Sequence, residues 1–408
     1  MDAQAGFAAE LARRRAETGL SLADVGRAAH ASRGYVHHIE QGQRWPSRGV
    51  AKALDAALGA SGTLLTAWEA GDAMRRARRD HRAAATLVTL TAAVGPSDSP
   101  VADVVAMRTM VHAIQAADRQ IGGGRLYPTV VRYLHDEVGP ALVDAHSNAD
   151  TGQLFAAAAT LTDIAGWMAH DGGQDSDARG HFVRAYRLAT AAGSDPLVGD
   201  VCASMSHLAG QLGQATDAFR IAEIGLTRAR GADGTGRLTA RLHAVRAQGL
   251  ARRGEERSCT DALTAAERAL ALAGAGEPVE WTAHYDEGSL ASETALCLLE
   301  LGDLVGAERA AERVIELRDG DRVRSRAFGQ LTLAQVLVRG GRPDEAAALG
   351  AAVCAVAPSL SSTRVRTRLG DLGVALHLHR KVAEVASFLG QLAALPPTRA
   401  REEPTWPV

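Results

Sequence analysis

The sequence predicts an all-α protein: five short helices at the N-terminus and, behind them, an α-solenoid of helical hairpins. Three observations carry that expectation. Hydrophobic residues make up 46% of the chain but aromatics only 4%. An apolar content rich in Ala and Leu, without alternating β-branched and aromatic runs, suits helices rather than sheets. Serines placed to cap helices recur through the first 61 residues, and a Gly followed five residues later by a small residue returns further along. With 408 residues, the chain also exceeds one compact domain of ordinary size.

Taken in order, the first helix is expected over Phe7–Thr18, with Phe7 and Leu11 apolar and Gly19 as its stop. Ser21 caps the second, Leu22–Ala29, with Asp24 in the position of a shortened capping box. Ser32 caps the third, which ends at Gly42. Ser47 caps a fourth, Arg48–Leu58, closed by Gly59, and Ser61 caps a fifth, Gly62–Glu69. Each cap supplies an oxygen to an orphan amide and contributes about 1 kcal/mol. A basic helix then carries Arg75–Arg82, and GPSDSP (Gly95–Pro100) has loop chemistry. These features divide the chain into a domain over 1–70, a basic helix and linker over 71–100, repeats over 101–395 and a tail over 396–408.

The repeats align on small residues. Gly173 precedes Ala178, Phe182 and Ala185; Gly213 precedes Ala218, Ala222 and Gly225. Gly302 precedes Ala307, Ala311 and Val314; Gly341 precedes Ala346, Gly350 and Val353, and Gly254 anchors a weaker copy. A small residue ends the first helix of a hairpin, and another on the second helix lets the two approach closely. Hairpins with uncovered apolar faces stack into a superhelix with a concave binding face.

Ser21–Ile39 has the spacing of a helix-turn-helix. Gly26 marks the helix crossing, His30 the turn, and Val25, Val36 and Ile39 the buried aliphatics. The second of its helices then presents Arg33, Gly34, Tyr35, His37 and His38 from its first turns, where a helix in the major groove meets base edges. The stretch Glu10–Ala60, through LARRRAETGLSLADVGRAA, SRGYVHHIEQG and RWPSRGVAKALDAALGA, resembles the Cro/repressor-type (Xre) DNA-binding domain of bacterial regulators. The resemblance implies a double-stranded DNA operator as partner and base reading by Arg33, Gly34 and His38. It also implies a structural pair between Arg15 and Glu40. Arg44 and Arg48 flank the third and fourth helices and are expected on phosphate. Two positions depart from the family: Leu22 stands where Gln usually grips phosphate, and His30 where Gly is common.

The repeats resemble tetratricopeptide (TPR) repeats. A helix-turn-helix followed by such an array is similar in layout to actinobacterial regulators of secondary metabolism and development, and to peptide-pheromone-sensing regulators of Gram-positive bacteria. That layout implies a sensor whose array binds a small molecule or peptide and adjusts operator binding by a homodimer. Candidate ligand contacts are Trp167 and His170, which with Asp163 share a helix face, the cluster Trp281, His284 and Tyr285 beside Asp286, and His207 with Arg324. The other reading is a DNA-bound scaffold whose array recruits a partner protein. A walled-in cavity favours the sensor, and an open charged groove the scaffold.

The charge distribution agrees with an N-terminal nucleic-acid contact: residues 1–82 hold 13 Lys and Arg against 9 Asp and Glu, whereas the whole chain has net charge −2. Cys202, Cys259, Cys297 and Cys354 stand apart in apolar helical surroundings, as buried reduced thiols do. No signal-peptide pattern and no membrane-length apolar run is visible, so a cytoplasmic location away from membranes is expected. The histidines at 37 and 38 lack a neighbouring nucleophile, carboxylate dyad or metal-ligand spacing, so no enzyme activity and no cofactor is expected.

Overall fold

The computed structural model describes residues 3–29, 31–46, 48–72, 100–121, 126–144, 151–273, 285–318 and 322–395. The protein is all-α, and among the described residues no strand occurs. The chain divides into two compact units, Met1–Thr86 and Leu87–Val408.

The first unit is built from α1 (Ala3–Thr18), α2 (Leu22–Ala28), α3 (Arg33–Glu40), α4 (Arg48–Ala57) and α5 (residues 63–72). Phe7, Leu11, Val25, Val36, Ile39, Leu54 and Leu64 form its core. Ser21 makes a reciprocal capping box with Asp24, and the Ser32 hydroxyl accepts the Tyr35 amide at 3.1 Å. The fifth helix differs from expectation. Ser61 is a left-handed residue with φ 49°, and the amides of Gly62 and Leu64 donate instead to the Asp55 carboxylate of α4 at 2.8 and 2.9 Å. His30, Ser47 and the basic segment 75–82 lie outside the described residues.

The second unit opens with α6 (Pro100–Ile121), α7 (Tyr127–Tyr133), a π-helical turn (Leu134–Val138) and α8 (Gly139–Asp144). Six hairpins follow among the described residues: α9 (Thr151–Asp171) with α10 (Asp175–Ala191), α11 (Asp195–Gln211) with α12 (Ala215–Ala229), α13 (Gly236–Arg252) with α14 (Glu256–Leu272), α15 (Glu287–Leu301) with α16 (Leu304–Leu317), α17 (Val323–Arg339) with α18 (Pro343–Val356), and α19 (Thr363–Leu376) with α20 (Ala383–Ala393). The turn glycines 173, 213, 254, 302 and 341 all adopt positive φ. The small residues five positions on, Ala178, Ala218, Cys259, Ala307 and Ala346, are fully buried where the paired helices meet. Gly166 of α9 belongs to the same device: a Cβ there would stand 2.4 Å from the Phe182 ring. The first helices begin at 151, 195, 236, 287, 323 and 363. Every step between them exceeds the 34-residue TPR period, so the likeness to TPR is one of layout.

The array closes on itself. α19 packs against α9. Asp171, at the end of α9, accepts Ser362 Oγ at 2.7 Å and Arg324 Nη1 at 3.1 Å. The Gly173 turn abuts the Thr363 methyl, 3.1 Å from a built Cβ. The last hairpin thus meets the first, and the six first helices form the inner wall of a ring.

Candidate nucleic-acid interface and ligand cavity

In the first unit, packing fixes α3 and frees its outer face. Gly26 is where α2 meets the turn: a Cβ there would stand 2.7 Å from the Ala31 carbonyl oxygen. Arg15 of α1 reaches Glu40 of α3 with Nη2 to Oε1 at 2.7 Å and Nε to Oε2 at 3.1 Å. This clamp joins the first helix to the third. Val36 and Ile39 are buried, whereas Arg33, Gly34, His37 and His38 are exposed and Tyr35 is half-buried. The structure therefore presents one contiguous polar patch from the first turns of α3.

The loop after α3 is pinned as well. Trp68 Nε1 donates to the Pro46 carbonyl at 2.8 Å, and Trp45 stacks on Trp68 at 6.2 Å. Arg44 sits on this loop with its guanidinium 6.0 Å from the Tyr35 ring centroid. His38 Nδ1 donates to Gln43 Oε1 at 2.7 Å, which leaves Nε2 as an acceptor in the neutral ring. Arg13 and Arg14 are neutralised by Glu10 and Glu17. Arg33 and Arg44 have no carboxylate partner among the described residues. Arg48 opens α4, and its side chain is outside the described set.

In the second unit, two adjoining cavities of about 240 and 360 Å³ lie along the inner wall and share Leu296 and Arg368. Trp167, His207 and Tyr285 line the smaller one together. The Trp167 and His207 rings are 4.9 Å apart, and His170 stands 5.8 Å from His207. Asp171 holds Arg324 outside this group, in the ring closure. Trp281 and His284 lie outside the described residues. Tyr285 precedes α15, and Asp286 is its cap. Its carboxylate accepts the Ser289 amide at 2.9 Å, Arg318 at 2.7 Å and Arg322 at 2.6 Å. Arg326 donates to the Ile315 carbonyl at 2.7 Å, so Arg322, Arg324 and Arg326 are each held by a protein acceptor.

Behind the aromatic wall runs a buried polar network. Trp167 Nε1 donates to Ser204 Oγ at 2.9 Å, and Ser204 donates to Asp163 at 3.2 Å. Arg241 pairs with Asp200 and donates to Ser204 at 3.0 Å. Burial, with Asp200 nearby, pushes the Asp163 carboxyl up to about 7. Burial drives His170 down to about 4 and lowers His207. Asp163 Oδ1, His170 Nε2, His207 Nε2, Glu293 Oε2 and the Tyr285 hydroxyl have no protein partner. Tyr285 is only 5% exposed and Gln248, whose amide is also unpartnered, only 3%. Of these, His207, Tyr285 and Glu293 line the smaller cavity and Gln248 the larger, and unanswered donors and acceptors on a cavity wall can meet a ligand's polar groups. Among the described residues no metal-binding cluster occurs.

Sequence reasoning missed Gln248, Glu293, Phe328, Arg364 and Arg368 on the cavity walls. The run RVRTRLG (364–370) held a signal for the last two: charges one turn apart on a helix whose Val365, Leu369 and Leu372 are buried.

No helix among the described residues is long and apolar enough to cross a membrane. No curated protein matches the chain. Residues 7–68 match a family model described as a helix-turn-helix domain, and the N-terminal unit is a domain of that kind, the fold of DNA-binding regulators.

Proposed function

We propose that the protein is a sequence-specific transcriptional regulator whose helical array binds a signal ligand, a small molecule or peptide, and modulates operator binding. The observation that carries this is the pairing of an exposed helix-turn-helix face with an inner-wall cavity full of unpartnered polar atoms. Arg33 acts as a bidentate donor to guanine O6 and N7, and His38, whose Nδ1 is engaged by Gln43, turns Nε2 to the base edges. Gly34 admits the groove wall closely, since nothing lies within 4 Å of its Cβ position. Tyr35, His37, Arg44 and Arg48 complete the DNA contacts, the two arginines on phosphate. The boundaries of the reader, linker and array are those of the sequence analysis, and the array also supports a homodimer on paired half-sites. Trp167, His170, His207 and Tyr285 are the sensing side.

The experiment is a mobility-shift titration on an operator selected from random duplexes, with and without host extract. The expected result is a shifted midpoint in the parent, absent in Trp167→Ala, with basal affinity kept. A parent that ignores extract while retaining a partner protein on the operator favours the scaffold instead.

A further inference from the structure

The sensing reading leaves the chemistry of the ligand open, and the far wall of the cavity addresses it. Arg364 and Arg368 lie one turn apart on α19, and both line the smaller cavity. Like charges at that spacing repel and destabilise a helix unless something offsets them. Both guanidiniums lie against one ring, that of Phe328 on α17, at 5.1 and 5.5 Å from its centroid. Arg368 also donates to Thr332 Oγ1 at 3.3 Å. Among the described residues no carboxylate pairs with either, nor with Arg252, whose Nη1 is buried without a partner on the adjoining cavity.

The contrast within the unit is informative. Arg241, Arg318, Arg322 and Arg324 each hold a carboxylate. Arg241 and Arg318 line the smaller cavity as well and are paired, whereas Arg364 and Arg368 on its α19 wall are in no ion pair among the described residues. Burial and mutual repulsion push Arg368 down to about 10, and burial lowers Arg364. Glu293, the acidic residue on the smaller cavity's wall, is engaged by His207 at 3.7 Å. The carboxylates of Asp171, Asp175, Glu293 and Asp371 act on them from a distance, but none is in ion-pair contact, and two desolvated guanidinium forks so placed suit the way arginine binds carboxylate or phosphate through parallel hydrogen bonds.

We propose that Arg364 and Arg368 form the subsite for an anionic group, a carboxylate or a phosphate, of the small ligand that occupies this cavity, with Phe328 as the apolar floor between them. The proposal rests on the sensing reading and deepens it. The two cavities together fall within the size range of small-molecule sites, which suits a small anion or a peptide of a few residues.

The test is calorimetric titration of the full chain at fixed ionic strength with inorganic pyrophosphate, tri-alanine and tri-alanine amide. The comparison is between the parent, Arg364→Gln/Arg368→Gln, and Arg257→Gln/Arg309→Gln, which removes the same charge from exposed positions. At least one anionic probe should bind the parent and the outer double variant alike, and bind the cavity variant about tenfold or more weakly. Pyrophosphate alone assigns a phosphate; tri-alanine without its amide assigns a carboxylate. If the cavity variant fails to fold, Arg364→Lys and Arg368→Lys keep the charge, lose the fork and should each weaken binding about threefold. Equal behaviour of parent and cavity variants toward every probe, absence of binding included, overturns the proposal. Failure of the sensing reading is separate. Anion binding that leaves operator affinity unchanged keeps the subsite and removes the sensor. An extract response that persists unchanged in the cavity variant does the reverse.

Discussion

Arg33 and Arg44 are both exposed cations of the helix-turn-helix unit, yet their surroundings assign them different work. Arg33 stands in the first turn of α3, which on the proposed reading is the part that meets base edges. Arg33→Ala should therefore cost about 1–3 kcal/mol of operator binding and relax choice at one base pair. Arg44, on the pinned loop, should act on phosphate. Its loss should weaken all duplexes alike and flatten the salt slope by about one unit. Binding to a panel of single-base operator variants at several salt concentrations separates the two patterns, and equal behaviour would refute the roles.

A second residue-scale expectation concerns acid. His170 titrates near 4 in the folded chain against 6.5 ordinarily, and His207, His181 and His243 are lowered too, all chiefly by burial. Below 6.5 the unfolded chain takes up protons that the folded chain refuses, so stability is lost as pH falls through that window. Asp163 works in the opposite sense. Its folded value near 7 lies above the ordinary 3.8, so the folded chain holds the extra proton and this term favours folding as pH falls. His207, His181 and His243 act in the same sense as His170, so the expected net effect of acid is a loss. Melting followed by circular dichroism at pH 7 and pH 5 should show a lower midpoint at pH 5, a smaller drop in His170→Gln and a larger one in Asp163→Asn.

At the scale of the element, the crossing of α2 with the turn before α3 has no room for a methyl group. Gly26→Ala forces a Cβ to 2.7 Å from the Ala31 carbonyl, a backbone atom that cannot rotate away. Overpacking of this kind costs about 1–3 kcal/mol. Denaturant titration should show the N-terminal unit unfolding earlier, while Gly34→Ala, in open space, leaves the midpoint in place. The elements also explain what was legible in the sequence. The caps at Ser21 and Ser32 were readable because donor and acceptor are three residues apart. The cap of α5 was not, because the acceptor, Asp55, lies across a turn and Ser61 offered a nearer but false candidate. The turn glycines and the small residues behind them marked hairpins correctly, since one hairpin is a local device. The cavity was half-legible. Trp167, His207 and Tyr285 stood out as polar aromatics against alanine, but Arg364 and Phe328 meet only through stacking of separate hairpins. The Arg324–Asp171 contact, across 153 residues, leaves no trace in any local pattern.

At the scale of the whole molecule, the proposed homodimer places two helix-turn-helix units on half-sites about one helical turn apart, roughly 34 Å. Light scattering should give twice the chain mass at micromolar concentration, with or without operator; a monomer in both conditions would sink the idea. The closure of the array supports a further expectation. An open solenoid frays from its ends, because each terminal repeat has one neighbour. Here α19 has α17 and α18 on one side and α9 on the other. Asp171→Ala removes the acceptor of both Ser362 and Arg324, so hydrogen exchange should rise in α19 and α20 first, ahead of α13 and α14. Uniform acceleration across the array would argue that the seam carries no special weight. The seam has a mechanical consequence as well. An open superhelix is a spring, whose ends move apart by many small rotations that need not agree. A joined one is a hoop: its circumference is conserved, and any widening at one interface must be taken up by narrowing at another. On the proposed reading, a molecule lodged against α19 would therefore load the seam at Asp171 as well as its own hairpin.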